Sequence, residues 1–558
     1  MISLKSNLII LFATLAIAAY LRLGNLGVSS FWVDELDFVY AAKSEIETGE
    51  PYLNSGYTYP RSKLFTWSII ASFKRFGISE FSSRLPSAIF GIMSVWLVYV
   101  VGKGLFNPRV GWLSALFLAL SPFAIGWSRT CRMYALFQLL FLAGAYLLYK
   151  GFESEVVQST ASRDALGISK GFIARLKTWQ QPGQLNFWFL LAGAVVMYLS
   201  FTTHELAGLF ALSFFLYLLV IGLAMLAAKG MAPSAKYLAT FSVMAILSLL
   251  AFATLSPLQD KVKEGLEFLP KWAEVAGAQN KLRLLDFIFS EELVPLNGFF
   301  VIGAAQAFLN AQKAGVYLLS LLAAPMALFT FVFAFQKSSY IFHVYPVIVL
   351  LAAYALDRLI QHESASALNS SMSAWLGKIR LQKIQSAIPA LLFLAWMPFT
   401  FWFRLAMSTP RQADGLYNGA VYHAEWRQAA EHVRQRLQND DVVISTLPQT
   451  VQYYLGRAEY NLNWPNADLA KKKNIVSKDG RLIDYYSGAD VIDDLPELER
   501  IMAAYAQGWL IVDTYRFGES VYVPREIRQF VEQKLTREFE TRRKTMIVFS
   551  WKRTPVAL

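Results

Sequence analysis

Apolar residues in this chain gather into runs about as long as a bilayer is thick, and nothing else in the sequence limits the fold so strongly. A helix needs about 20 mainly apolar residues to cross a membrane, because in lipid its backbone polar groups must be satisfied within the segment. Eleven runs qualify, at roughly 8–26, 85–102, 110–127, 133–149, 187–203, 206–228, 237–256, 297–311, 314–335, 341–357 and 386–407. The 558 residues are therefore expected to form a polytopic α-helical membrane protein. Charged residues amount to 16%, against about 25% in soluble chains, which excludes an ordinary soluble globule, a disordered chain and a coiled coil. The first run has Lys5 ahead of it and a cleavage-like Ala16-Ile17-Ala18, as a signal peptide would. It continues past Arg22 through Leu23 and Leu26, and reads as a retained anchor. The single cysteine, Cys131, excludes an intrachain disulfide and a zinc cluster of cysteine ligands.

Loops rich in Lys and Arg stay on the cytoplasmic side. Lys103, Arg109, Lys150, Lys229, Lys236 and Lys378 fall in loops of one parity, which puts the N-terminus inside and everything after the last run outside. The opposite loops are basic too, and orientation alone does not explain that. Residues 1–407 read as the membrane domain, with a long outer first loop at 27–84, and 408–558 as an extracytoplasmic α/β domain. The tail's expected helices are 425–437, 451–455 and 526–539, and its expected strands 441–445, 509–513 and 545–551. The stretch 463–494, with Lys471-Lys472-Lys473 and many aspartates, reads as a solvated insertion.

The alternating topology brings an unusual set of polar residues to the outer leaflet. Asp34 and Glu35 follow the first run, Arg61 and Lys63 precede an amphipathic segment at 63–76, and Arg129 and Arg132 end the third run. His204 and Glu205 end the fifth, and Lys337 and Tyr340 lie between the ninth and tenth, shortly before His343. Ionisable residues at or inside a membrane boundary are costly and mark function. Each also has a plainer use: acids cap helices, arginines snorkel, and a tyrosine joins the aromatic belt. Their convergence on one face favours chemistry. A carboxylate there can act as general base toward a hydroxyl, a role worth about 10²–10⁴ in rate. Clustered Arg and Lys would stabilise a phosphate leaving group. Adjacent residues do not share a helix face, so Asp34 and Glu35 are not expected to be an equivalent pair. One can face the reacting centre while the other orients a loop, caps a helix or touches a metal.

Four motifs carry a family resemblance. They are Phe31-Trp32-Val33-Asp34-Glu35, Ser83-Arg84-Leu85-Pro86-Ser87-Ala88, Ser128-Arg129-Thr130-Cys131-Arg132-Met133-Tyr134-Ala135-Leu136, and Tyr340-Ile341-Phe342-His343-Val344-Tyr345-Pro346. In that order and at those places, the chain resembles the GT-C glycosyltransferases of the protein O-mannosyltransferase and aminoarabinose transferase kind. Asp441-Val442-Val443-Ile444 followed by Tyr453-Tyr454-Leu455-Gly456 extends the likeness into the tail. The resemblance implies a GT-C fold, a polyprenyl-phosphate-linked sugar as donor, and inverting transfer on the outer face. It also implies that Asp34 is the base, with Glu35 beside it in the catalytic pair, and that Arg61, with Lys63 two residues on, and Tyr340 contact the lipid phosphate; Arg129 and Arg132, on the same face, are carried as further phosphate-binding candidates. His204, Glu205, Lys337 and His343 are carried as acceptor-side or supporting candidates. Relatives usually have Pro where His343 stands, and the aminoarabinose enzymes carry an acid after the third span where this chain has Arg132 and Gln138.

The expected partners are the bilayer, the lipid-phosphate donor, and an acceptor that is a protein Ser or Thr, a glycan or a lipid head group. The expected location is a bacterial or archaeal plasma membrane. A divalent cation touching Asp34 and Glu35 is the one cofactor the residues suggest. A carrier of an anionic lipid is the alternative, although no repeat of matching halves supports it. From Arg411 onward Lys plus Arg number 21 and Asp plus Glu 20, so nearly all of the net +12 lies in the membrane part. That distribution speaks for topology and an anionic lipid-phosphate site, and against nucleic acid.

Overall fold

The computed structural model describes residues 4–154, 185–227, 236–243, 296–310, 312–331, 338–367, 423–462, 475–492, 494–518 and 522–552. The chain divides into two compact units. One comprises Met1–Arg22, Ile89–Ser128 and Met133–Arg404, and the other Leu23–Ala88, Arg129–Arg132 and Leu405–Leu558. The long first loop therefore belongs with the tail, not with the membrane helices as the sequence suggested.

The first seven helices are α1 (Leu4–Leu23), α2 (Val33–Thr48), α3 (Lys63–Phe76), α4 (Glu80–Leu105), α5 (Pro108–Leu120), α6 (Pro122–Ser128) and α7 (Tyr134–Phe152). Later helices of the first unit are Phe187–Thr203, Leu209–Ala227, Leu296–Leu309, Lys313–Phe331 and Tyr345–Ala367. Helix stands at every expected span whose residues are described. The eleventh, 386–407, lies outside the described residues, as does most of the seventh. Among the described residues four helices are long and apolar enough to cross a membrane, and α5 with α6 makes a fifth if that bent pair is one span.

The bend between α5 and α6 is 64° and has a local cause. Pro122 has no N–H to continue the ladder and disfavours helix at Ser121, whose ψ is 119°. Leu118 O is thereby left without its helical donor. Arg22, fully buried on α1, donates to Leu118 O at 3.0 Å and to Ala119 O at 3.0 Å, and from Nε to Ser128 Oγ at 3.3 Å. Gly91 makes room for this arrangement, since a Cβ there would stand 2.1 Å from Ser128 Oγ.

The second unit is built on an eight-stranded mixed sheet. Its strands are β1 (Val442–Ser445), β2 (Tyr460–Asn461), β3 (Ile475–Lys478), β4 (Arg481–Asp484), β5 (Asp490–Val491), β6 (Gln507–Asp513), β7 (Thr536–Glu540) and β8 (Met546–Lys552), in the order β3-β4-β5-β2-β1-β6-β8-β7. β1 runs parallel to β2 and β6. It is fully buried, as an unbroken Val-Val-Ile run suits a central parallel strand. Val442, Ile444, Leu510, Val512, Phe549 and Trp551 lie at the heart of its core. Two expectations need correction. The presumed insertion 463–494 carries β3, β4 and β5, which extend one side of the sheet. The presumed helix 526–539 stops at Lys534 and continues as β7. β7 is a charged edge strand, with Arg537, Glu538 and Glu540. Such charges protect a sheet edge from unwanted pairing, and in sequence they look like a polar helix face.

Candidate active site

The site is assembled within the second unit, at the start of α2. Glu35 sits at the third position of that helix and reaches back to accept from the Trp32 N–H at 2.9 Å. This is the acidic half of a capping box. Its carboxylate is fully buried and takes three further donors: Arg84 Nε at 2.8 Å, Arg84 Nη2 at 2.8 Å and the Cys131 N–H at 2.7 Å. A carboxylate offers about four acceptor positions, and here all are filled. Arg84 in turn spends its remaining donors on the carbonyls of Leu26, Ser29 and Ser30. Burial alone would raise the Glu35 pKa, but the charge and hydrogen bonds of Arg84 outweigh it, and the group is held below the usual carboxylate range. Glu35, expected in the catalytic pair, is thus the anchor of the loop.

Asp34 points differently. About a third of its side chain is exposed, 35%, and its nearest ion-pair partner is Arg132 Nη2 at 3.9 Å. Arg132 also donates to the Asp34 main-chain oxygen at 2.6 Å and approaches Asp37 Oδ2 at 3.4 Å. Arg132 is therefore a support for α2 as well as a phosphate candidate. Arg129 is buried and donates to the carbonyls of Gly24 and Asn25, at 2.7 and 3.2 Å. Of the basic candidates in this unit, Arg61 and Lys63 are the exposed ones. They flank Ser62, whose φ of 48° lies in the left-handed region and which precedes α3. Such strain in a residue other than glycine is often held at functional sites. Ser62 Oγ and the neighbouring Tyr59 hydroxyl are buried without a hydrogen-bond partner among the described residues. Buried polar atoms are rarely left so, and these two flank Arg61.

The tail grips this loop directly. Tyr454 accepts from the Phe31 N–H at 2.7 Å and donates to Glu80 at 2.8 Å, and Arg427 also pairs with Glu80. Tyr40 donates to Gln449 O at 2.9 Å, and Gln449 Nε2 donates to Asp37 Oδ1 at 3.0 Å. His423 meets Ser30 O at 2.7 Å. Burial, and then the charge of Arg84, lower its pKa to about 4. The ring is neutral at pH 7, and Nδ1 donates.

The sequence reading missed Asp37, Gln449 and the role of Arg84. Asp37 could have been found, since it lies three residues from Asp34 on the same helix face. Burial, opposed by Arg132 and reinforced by the charge of Asp34, pushes its carboxyl up to about 7. The folded chain therefore holds a proton there that the unfolded chain has released. The associated stability is complete below the ordinary carboxylate range and is lost as pH rises through about 7. Thermal denaturation from pH 6 to 8 is expected to show a larger fall in Tm for the wild type than for Asp37→Asn. Parallel curves would remove the assignment.

The remaining candidates lie in the other unit. His204 ends the helix Phe187–Thr203, accepts from the Leu206 N–H and stacks on Phe137 at 5.0 Å. Glu205 opens the short turn that follows. His343 is buried and stacks on the same Phe137 at 4.7 Å. Tyr340 stacks on Phe329 at 5.4 Å. Lys337 lies outside the described residues. Among the described residues no three His, Cys, Asp or Glu side chains are grouped to hold a metal ion.

Comparison with known proteins bears on the fold. Residues 61–163 match the family model of the dolichyl-phosphate-mannose-protein mannosyltransferases. An uncharacterized protein of Aquifex aeolicus (strain VF5) is 32% identical over 129 residues, a match that spans 22% of this chain and 30% of that protein. The structure resembles apo ArnT from Cupriavidus metallidurans, with a TM-score of 0.55, 12% identity and 98% of each chain covered. ArnT bound to undecaprenyl phosphate gives a TM-score of 0.52 at 14% identity, again covering 98% of each chain. The archaeal oligosaccharyltransferase AglB from Archaeoglobus fulgidus, in complex with an inhibitory peptide and a dolichol-phosphate, gives 0.52 at 12% identity. That match covers 97% of this chain and 74% of AglB. The fold is that of the GT-C membrane glycosyltransferases, and the chain is an integral membrane protein.

Proposed function

We propose that this chain is an inverting glycosyltransferase that moves a sugar from a polyprenyl phosphate to a hydroxyl acceptor. The observation that carries the reading is the asymmetry of the Asp34-Glu35 pair. Glu35 is consumed by Arg84 and the loop backbone, which fixes the start of α2 and leaves Asp34 partly exposed beside a basic cluster. In the proposed reaction Asp34 takes the acceptor's proton as its oxygen attacks the anomeric carbon. The bond to the phosphate oxygen breaks, and the polyprenyl phosphate leaves with both electrons. Arg61 and Lys63, with the Tyr59 and Ser62 hydroxyls, are the groups proposed to receive that phosphate. Arg132 steadies α2 and adds positive charge. Tyr340 is a further phosphate candidate, and His204, Glu205, Lys337 and His343 are acceptor-side candidates. A divalent ion would find no open position on Glu35, and no step here uses one.

The reading also proposes a plasma membrane location with the tail outside the cytoplasm. The acceptor is a protein Ser or Thr, a glycan or a lipid head group. The solved structures it resembles lend no support to the carrier alternative.

The test uses purified chain in lipid nanodiscs, a panel of radiolabelled undecaprenyl-phosphate-linked sugars, and membrane extract as acceptor source. Asp34→Asn is expected to reduce transfer at least about 100-fold, within the range of a lost general base, with Tm unchanged. Undiminished transfer would sink the base assignment.

A further inference from the structure

Asp37 has no part in the scheme above, yet it is one of the most constrained carboxyls in the unit. It lies one helical turn from Asp34, and its side chain is 7% exposed. Groups converge on it from every neighbouring element. Asp34 is on its own helix, Arg132 comes from the segment 129–132, and Arg61 and Tyr59 come from the segment before α3. Gln449 comes from the tail helix Pro448–Leu455, and Tyr486 from the turn between β4 and β5. Arg132 lies between the two aspartates, 3.4 Å from Asp37 and 3.9 Å from Asp34, and so is committed fully to neither.

The geometry points to Asp37 as a positioning residue for the reacting centre, sharing Arg132 with Asp34 and held in that role by Gln449 of the tail. The inference rests on the glycosyltransferase reading and deepens it, because it makes the tail a working part of the site. The physical reason is competition for one guanidinium. A neutral Asp37 asks Arg132 only for a hydrogen bond, which leaves the cation's charge to Asp34. An ionised Asp37 draws Arg132 toward itself and sets a second negative charge beside the base. Gln449 favours the ionised form by donating to Oδ1, so the tail adjusts the balance.

The experiment compares Asp37→Ala, Asp37→Asn and Gln449→Leu in the full-length chain, in nanodiscs, with whichever undecaprenyl-phosphate sugar the panel identifies. Donor KM, kcat and the pH profile from 5.5 to 8.5 are the readouts. Asp37→Ala is expected to lower kcat about 10-fold with donor KM little changed. Asp37→Asn, which keeps shape and mimics the protonated form, should recover most of that loss. It should also abolish the inflection near neutral pH. Gln449→Leu should move the inflection to higher pH, because it removes a hydrogen bond to the ionised form. A merely structural role would lower Tm and leave the pH profile in place. Infrared titration of the protein without substrate supplies a reading independent of turnover: a carboxyl titrating near neutrality should be present in the wild type and missing from Asp37→Asn. If Asp34→Asn is inactive while the inflection persists unchanged in all three variants, the positioning role is overturned and the catalytic reading stands. If Asp34→Asn keeps full activity, the catalytic reading falls first.

Discussion

Glu35→Ala is expected to leave little folded protein in the membrane. The substitution strands the Arg84 guanidinium, fully buried, without its carboxylate. Removing one partner of a buried ion pair costs about 3–5 kcal/mol, because the other charge stays desolvated and unpaired. Two more donors, the Trp32 and Cys131 N–H groups, lose their acceptor at the same time. Against a total stability of about 5–15 kcal/mol for a typical domain, that is a large share. Glu35→Gln keeps the shape and part of the hydrogen bonding, and should be milder. A second substitution at Arg84, to Met, should restore part of what Glu35→Ala loses, since no buried charge then remains. The measurement is Tm in detergent together with the monodisperse yield on size exclusion. A Glu35→Ala protein with wild-type Tm would refute the anchoring role. Because the anchor and Asp34 are neighbours in sequence, Glu35 variants that still fold should also lose transfer.

The second large effect is expected at Arg22, near the end of α1 and in the other unit from Asp34. Arg22→Met removes the donors that satisfy Leu118 O and Ala119 O where α5 stops. Leu118 and Ala119 are buried, so the carbonyls would be left unpaired, at about 1–3 kcal/mol each. The cation also meets the negative end of the α5 dipole, which adds to the stabilisation. Arg22→Lys keeps the charge but offers one compact ammonium instead of a planar fork. It should fall between the wild type and Arg22→Met. Yield and Tm are again the readouts. Equal values for Met and wild type would mean that the bend holds without the arginine.

Much of this was visible in the residues themselves. The eight-stranded tail was half legible: β1, β6 and β8 are apolar runs, while β2 and β5 span two residues each and are fixed by their neighbours rather than by pattern. Helix α3 matched its expected bounds, because its aromatic and basic residues recur at helical spacing. At the site, Asp34 and Glu35 stood out as a pair, but nothing local says which one is buried. That depends on Arg84, 49 residues onward, folding back to reach Glu35. Gln449 carries no signal, since an isolated glutamine in a tail helix acquires meaning only from the carboxyl it meets. Arg129 and Arg132 looked alike in sequence, and burial separated them from the exposed Arg61.

The unit that holds Asp34 is assembled from three stretches separated by the membrane helices, Leu23–Ala88, Arg129–Arg132 and Leu405–Leu558. During synthesis the loop that carries Asp34 is made early, and the residues that clasp it, Gln449 and Tyr454, come long after it. At about 5–20 residues per second, the loop waits for tens of seconds before its partners exist. Through that interval Glu35 and Arg84 can already meet, whereas Asp37 has no amide to hold it. The surroundings of Asp37 are thus completed only after Pro448–Leu455 has been made, and a ribosome that stops before that helix leaves the loop unclasped.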